Sequence, residues 1–456
     1  MRWSWLAQAT WLLPLAFCVA TAGAVSKPLG VLVVAFLLTW ALAVRPPPAL
    51  PVSRPARWAV TLVIVVGVLQ LVPLPESVRS VLAPGPTSAR SDLHALGLQG
   101  SWMPISVDLG WTVIEVLYWA GAAALLAVMA RGDGPPRGAR LVVATLVILC
   151  GVAWIDRRAG WHTFPLTPIA DPWGVGQENL RGKTEFAGWL INRNHWAALG
   201  LTLWPLAAWW AVSRSTWFAR FLGALATLLV VASVVETRSR TGLAAVALQG
   251  AAVLAFLAWK LPRVWRWVVG AAAVAAAAIA WPQVVAYADR FSREDVVGRA
   301  RLYEGVVAMG ADSPIVGWGL GTFRFVFPAY QPEGLQYRYS HAHQDALQMF
   351  AEAGVVGLAA LVLLAVHAVS CLRDRRVSPG ARLAWLLAVL GCGIVSMVEF
   401  PLQIPAVRFV WLGILFAGPR ALPGALASPA IARSLPATDV APDGHPPPPI
   451  HPPTTA

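Results

Sequence analysis

The chain reads as an all-α polytopic membrane protein of about twelve transmembrane helices. Three observations carry that reading. Of its 456 residues, 57% are hydrophobic and only 12% charged, with 24 tryptophans, a balance that water-soluble domains do not show. Apolar runs approaching ~20 residues, the length at which an α-helix crosses the hydrocarbon core, recur from the N-terminus to about residue 418. Every second connection between these runs is short and basic.

Taken in order, the spans fall at roughly 3–22, 28–44, 58–74, 109–130, 140–155, 194–213, 217–236, 241–259, 264–282, 345–371, 383–400 and 404–419. Arg45, Arg54 and Arg57 separate the second and third, and Arg131, Arg137 and Arg140 the fourth and fifth. Arg214 and Arg220 follow the sixth; Lys260, Arg263 and Arg266 follow the eighth; Arg373, Arg375, Arg376 and Arg382 follow the tenth. The positive-inside rule makes these loops cytoplasmic, with both termini, and it accounts for most of the net charge of +13 without a nucleic-acid partner. The first run, with Arg2 before it and Ala20-Thr21-Ala22 after it, also fits a signal-peptide pattern, and the topology is the same either way. Cys18, Cys150, Cys371 and Cys392 lie in or beside apolar spans without metal-type spacing and read as packing residues.

Three outside segments are long: 75–108, 156–193 and 283–344. The last, between spans nine and ten, carries six basic and six acidic residues with several aromatics, and is expected to fold over the membrane surface. Residues 1–419 form one transmembrane domain, and the Pro- and Ala-rich stretch 420–456 reads as a disordered cytoplasmic tail.

Polar residues gather at the outside ends of the spans. Asn192-Arg193-Asn194-His195 opens span six, and Glu236-Thr237-Arg238-Ser239-Arg240-Thr241-Gly242 joins spans seven and eight. Arg238 and Arg240 are held near the membrane on the side where topology disfavours positive charge. Glu236 can pair with one of them, leaving a planar guanidinium fork suited to a diphosphate; a purely structural ion pair at a helix turn is the alternative. Arg299 and Arg301, in Gly298-Arg299-Ala300-Arg301-Leu302-Tyr303-Glu304, either add to such a site or form a solvated helix face. The alternating glycines of Ser313 to Phe323 permit tight turns or close backbone approach to a ligand but follow no βαβ pattern, which excludes a dinucleotide fold. Ser340-His341-Ala342-His343-Gln344-Asp345 leads into span ten. Two histidines at i and i+2 without a third ligand argue against a metal site, and an imidazole is suited to act as a general base toward a sugar hydroxyl. Glu115, His367, Glu399 and Arg408 are isolated ionisable residues in or near spans, explained equally by function or by mutual pairing. A rival from another class, a transporter or flippase of a lipid-linked or anionic substrate, needs polar groups at the midplane, whereas here they concentrate at the outer face.

In their order along the chain these motifs resemble the O-antigen ligase and polymerase family, over about residues 185 to 370. The resemblance implies a metal-independent, inverting, GT-C-like glycosyltransferase of the bacterial inner membrane. It would need no cofactor and would act on the periplasmic side. The donor it implies is an undecaprenyl-diphosphate-linked glycan. The acceptor is a saccharide-bearing lipid A-core, another lipid-linked glycan or a protein, with ligase and polymerase not separated. Carried onto this chain, Arg193, Arg238, Arg240 and Arg301 become the diphosphate-binding residues, and His343 or His341 the base, with His343 favoured. Many relatives have Asn where this sequence has Gln344. No DxD motif is present to hold a metal on the diphosphate, so arginines would supply the charge neutralisation.

Overall fold

A computed structural model describes residues 53–90, 102–129, 192–259, 293–335 and 338–422, with isolated positions near 151–155, 190 and 262–271. Nine helices of more than ten residues organise the described residues: α1 Arg54–Leu71, α2 Leu109–Met129, α3 Arg193–Val212, α4 Trp217–Glu236, α5 Arg240–Trp259, α6 Arg293–Ala311, α7 Asp345–Leu372, α8 Pro379–Ser396 and α9 Pro405–Ala417. Their starts follow local chemistry. The side chains of Asn192, Thr216, Gln344 and Ser378 accept backbone N–H bonds at the first turns of α3, α4, α7 and α8, and proline occupies the first turn of α1, α8 and α9. Gln344 thus has a capping task at the start of α7.

Six of these helices are long and apolar enough to cross a membrane: α1, α2, α4, α5, α7 and α8. The chain is therefore a largely helical, polytopic membrane protein. Of the twelve spans expected, those at 3–22 and 28–44 and most of 140–155 and 264–282 lie outside the described residues. Spans 194–213 and 404–419 coincide with α3 and α9. α3 is the central element, packing against α4, α5, α8 and α9, and it buries Trp196, Leu199, Leu201 and Leu203 almost completely. α4 and α5 by contrast leave Phe218, Phe221, Leu228, Leu248 and Leu254 exposed, as bilayer-facing helices do. One small departure from an all-α fold is a two-residue antiparallel ladder, Leu74–Pro75 with Trp102–Met103.

The two ends of the bundle are fixed by α1 and α7. Gln70 Nε2 donates to the carbonyls of Val316 and Glu352 at 2.6 and 2.8 Å, while Ser53 Oγ lies 2.6 Å from His367 Nδ1. The helices therefore run antiparallel, and the C-terminus of α1 shares an end with the N-terminus of α7.

At that end the described part of the large loop packs into a core of its own, with Leu302, Val306 and Met309 of α6 against Trp318, Phe323, Phe327 and Ala342. The glycine-rich segment is sealed to α7 rather than open to a ligand. Trp318 N and Gly319 N donate to the carbonyls of Ala351 and Glu352, and Val355 N to that of Pro314. α7 is kinked there at Gly354, whose φ is +61°. A Cβ at Gly354 would sit 2.3 Å from the Ile315 carbonyl oxygen, and one at Gly317 would sit 2.2 Å from the Glu352 carbonyl carbon, so both positions require glycine.

The isolated ionisable residues pair. Arg408 Nη1 donates to Glu115 Oε2 at 2.7 Å, joining α9 to α2, and His367 bridges Ser53 and the Leu415 carbonyl. Asp345 accepts from Leu402 N and Gln403 Nε2, tying the start of α7 to the connection before α9.

Candidate functional site

The span expected at 383–400 places Glu399 inside a helix. Helix α8 instead ends at Ser396 with Met397 as its cap, Pro401 keeps Phe400 out of helical conformation, and Glu399 and Phe400 emerge on the connection to α9. That exit brings them against the start of α3 and the loop before α7.

Glu399 is the hub of the site. Its carboxylate is 4% exposed and accepts from Asn194 Nδ2 at 2.8 Å and Arg299 Nη2 at 2.8 Å through Oε1, while Oε2 lies 3.1 Å from His343 Nδ1. A second Arg299 nitrogen, Nη1, donates to the Val398 carbonyl. Burial raises the carboxyl's pKa, but the His343 hydrogen bond and the charges of His343 and Arg299 outweigh it, and the net shift is downward from 4.5. The ionised carboxylate can only accept, so Nδ1 of His343 carries the proton and Nε2 is left as the basic nitrogen.

His343 is 30% exposed and adopts φ +52°, a conformation uncommon outside glycine. It is held there by Tyr303 Oη, which donates to its carbonyl at 3.0 Å, and by the ring of Tyr339 at 5.9 Å. Phe400 gathers three histidines. His341 stacks on it at 4.2 Å and 6°, and His343 and His195 meet it edge-on at 4.8 and 4.6 Å. Burial, followed by the charge of Arg324, lowers the pKa of His341 well below 6.5, so its ring is neutral at physiological pH. Nε2 of His195 is sealed without an acceptor among the described residues.

The expected diphosphate residues occupy different positions around this hub. Arg193 opens α3 one residue before Asn194. Arg238 and Arg240 flank the α4–α5 turn, where Arg238 is exposed at φ +51° and Arg240 half-buried. That turn lies against the first turns of α3: Trp196 Nε1 donates to Ser233 Oγ, and a Cβ at Gly242 would reach Ala197 at 2.7 Å. Both arginines therefore sit at the histidine end of the bundle. Arg301 does not face the pair. Two residues on from Arg299 it points round the other side of α6, exposed, with Nη1 3.4 Å from the Glu333 carbonyl.

From the sequence Glu399 is one weak candidate among several, Arg301 and not Arg299 joins the diphosphate set, and Phe400 carries no signal of its own. A signal for Glu399 was present: an acid at the outer end of an apolar run, followed by Phe400 and Pro401. Among the described residues, no group of three His, Cys, Asp or Glu is arranged to hold a metal ion.

Residues 225–362 match the family model described as O-antigen ligase. The matched stretch runs from within α4 to within α7 and contains Arg238, Arg240, Arg299, Arg301, His341 and His343, while Asn194, Glu399 and Phe400 fall outside it. The comparison with curated proteins gives no match.

Proposed function

Proceeding from the O-antigen ligase domain that residues 225–362 carry, we propose that this protein transfers an undecaprenyl-diphosphate-linked glycan to an acceptor hydroxyl at the periplasmic face of the inner membrane. That match supports a glycan-ligase-type, glycosyltransferase-like activity. The observation that carries it is the Glu399–His343 pair. A buried carboxylate fixes the imidazole tautomer, and the 30% exposed ring keeps Nε2 as the nitrogen that takes a proton.

In this reading His343 Nε2 accepts the acceptor hydroxyl's proton as its oxygen attacks the anomeric carbon. The bond from that carbon to the diphosphate oxygen breaks, with inversion. Undecaprenyl diphosphate departs with its charge held by Arg193, Arg238 and Arg240 beside the hub and by Arg299 within it. Arg299 takes the place expected of Arg301. His341, neutral and stacked on Phe400, positions the loop rather than acting as the base. The acceptor is a lipid A-core sugar, a second lipid-linked glycan or a protein hydroxyl.

Purified protein given an undecaprenyl-diphosphate glycan and each acceptor class tests this. General-base catalysis contributes roughly 10²–10⁴-fold, so His343→Ala should lose about that much, and Arg240→Ala should raise the donor KM. Transfer that persists unchanged in both variants would falsify the proposed site.

A further inference from the structure

Glu399 stands on the connection between α8 and α9, outside either helix, so its backbone alone does not fix the direction of its carboxylate. Three donors share the two oxygens. Asn194 Nδ2 and Arg299 Nη2 both reach Oε1 at 2.8 Å, and His343 Nδ1 lies 3.1 Å from Oε2.

A guanidinium binds a carboxylate best when two parallel N–H groups take both oxygens. Arg299 does not do so here: Nη2 holds Oε1, while Nη1 donates to the Val398 carbonyl. A turn of the Glu399 side chain would bring Oε2 onto the same fork and off His343. Arg299 is 40% exposed and belongs to the outer loop, so it does little to resist that turn.

Asn194 is built to resist it. It lies in the first turn of α3, where Asn192 Oδ1 accepts from Asn194 N at 2.8 Å and fixes the start of the helix. The next residue, His195, is buried and meets Phe400 edge-on at 4.6 Å. Consecutive residues of the central helix thus grip consecutive residues of the connection, Asn194 taking Glu399 and His195 taking Phe400. An ionised carboxylate only accepts, so the Asn194 amide presents its nitrogen to Glu399. That bond occupies Oε1 from the rigid bundle and leaves Oε2 for His343.

We propose that Asn194 is a positioning residue for the base: its bond to Glu399 Oε1 holds the other carboxylate oxygen on His343 Nδ1 and so keeps Nε2 as the basic nitrogen. The inference rests on the reading of His343 as the base. Asn194 acts through Glu399 and not on the reacting atoms.

The test uses the full chain in detergent, labelled with 15N-histidine, with the His343 signals assigned by their loss in His343→Ala. The ring 15N shifts at pH 8 report which nitrogen carries the proton. In the parent, His343 should be the Nδ1–H tautomer. Asn194→Leu, which removes the donor at similar volume, and Asn194→Ala should both move it toward the Nε2–H tautomer. Both should lower kcat for glycan transfer roughly tenfold, the scale of one hydrogen bond to a charged group, while the donor KM moves by less than about threefold. In the His343→Ala background, Asn194→Ala should cost less than about threefold. A parental tautomer in a folded Asn194 variant overturns the proposal, as does a parent in the Nε2–H form. So does a tenfold loss that persists without His343, or an Asn194→Ala chain that cannot fold, since the amide then has a structural role. If the tautomer shifts as expected but the parent transfers no glycan, the positioning stands and the transfer reading falls.

Discussion

Replacing Glu399 by glutamine removes its charge and one of its two acceptor oxygens. With the amide oxygen toward His343 Nδ1 the NH2 group faces Asn194 Nδ2 and Arg299 Nη2, so the change withdraws the electrostatic support given to the imidazolium that forms as the hydroxyl is deprotonated together with the carboxylate's bonds to those two donors. The heavy atoms are 3.1 Å apart. With charge centres about 4 Å apart, an effective permittivity near 20 gives ~4 kcal/mol. His343 is 30% exposed, and solvent screening roughly halves that figure to ~2 kcal/mol. At ~1.4 kcal/mol per tenfold, kcat should fall roughly thirtyfold, and the donor KM should move by less than about threefold because Arg193, Arg238 and Arg240 are untouched and Arg299 keeps its charge. Steady-state transfer measured on both variants and their combination is the assay. In the His343→Ala background, Glu399→Gln should cost less than about threefold, since the partner it supports is gone. A thirtyfold loss that persists in that background, or no loss in the parent, refutes the pairing.

Glu115→Gln leaves Arg408 buried without its counter-charge and should destabilise by about 3–5 kcal/mol, with most of that recovered when Arg408→Met is added; a single variant no worse than the double contradicts this. Gly354→Ala meets the Ile315 carbonyl at 2.3 Å in a left-handed conformation, and a loss of roughly 2–5 kcal/mol should appear as a lower unfolding temperature. Acidification should weaken the fold in two steps. The folded pKa of His341 lies below 6.5, so its contribution is complete above that pH and is lost as pH falls toward the folded value; that of Glu399 is complete above 4.5 and is lost below it. Unfolding temperature recorded from pH 8 to about 2 should show both, and His341→Gln should flatten the upper step alone.

The membrane-crossing helices were legible because burial in lipid demands an apolar composition over a fixed length, and that constraint is written residue by residue. α4 and α5, which face lipid on most sides, match their expected spans within a residue or two. The start of α8 was less legible, though Ser378 and Pro379 mark it, because the apolar run was given more weight than the cap. The hub of the site was the least legible part. His343 could be read from its motif, but the acid that fixes its tautomer lies more than fifty residues away, and only tertiary packing joins them. Arg299 and Arg301 are equivalent in sequence, and only the helical rotation between them, about 200°, turns one toward Glu399 and the other toward Glu333. The glycine motif was read as approach to a ligand or a tight turn; its partner is the kinked backbone of α7 itself.

The most direct test of the account is single-turnover transfer of a radiolabelled undecaprenyl-diphosphate glycan by purified parent protein and by His343→Ala, His341→Ala and Glu399→Gln, each shown to be folded by its unfolding temperature. The account predicts that the rate falls in the order Glu399→Gln, then His343→Ala, by roughly thirtyfold and roughly 10²–10⁴-fold, with His341→Ala affected less than His343→Ala. A His343→Ala protein that transfers glycan at the parental rate contradicts it.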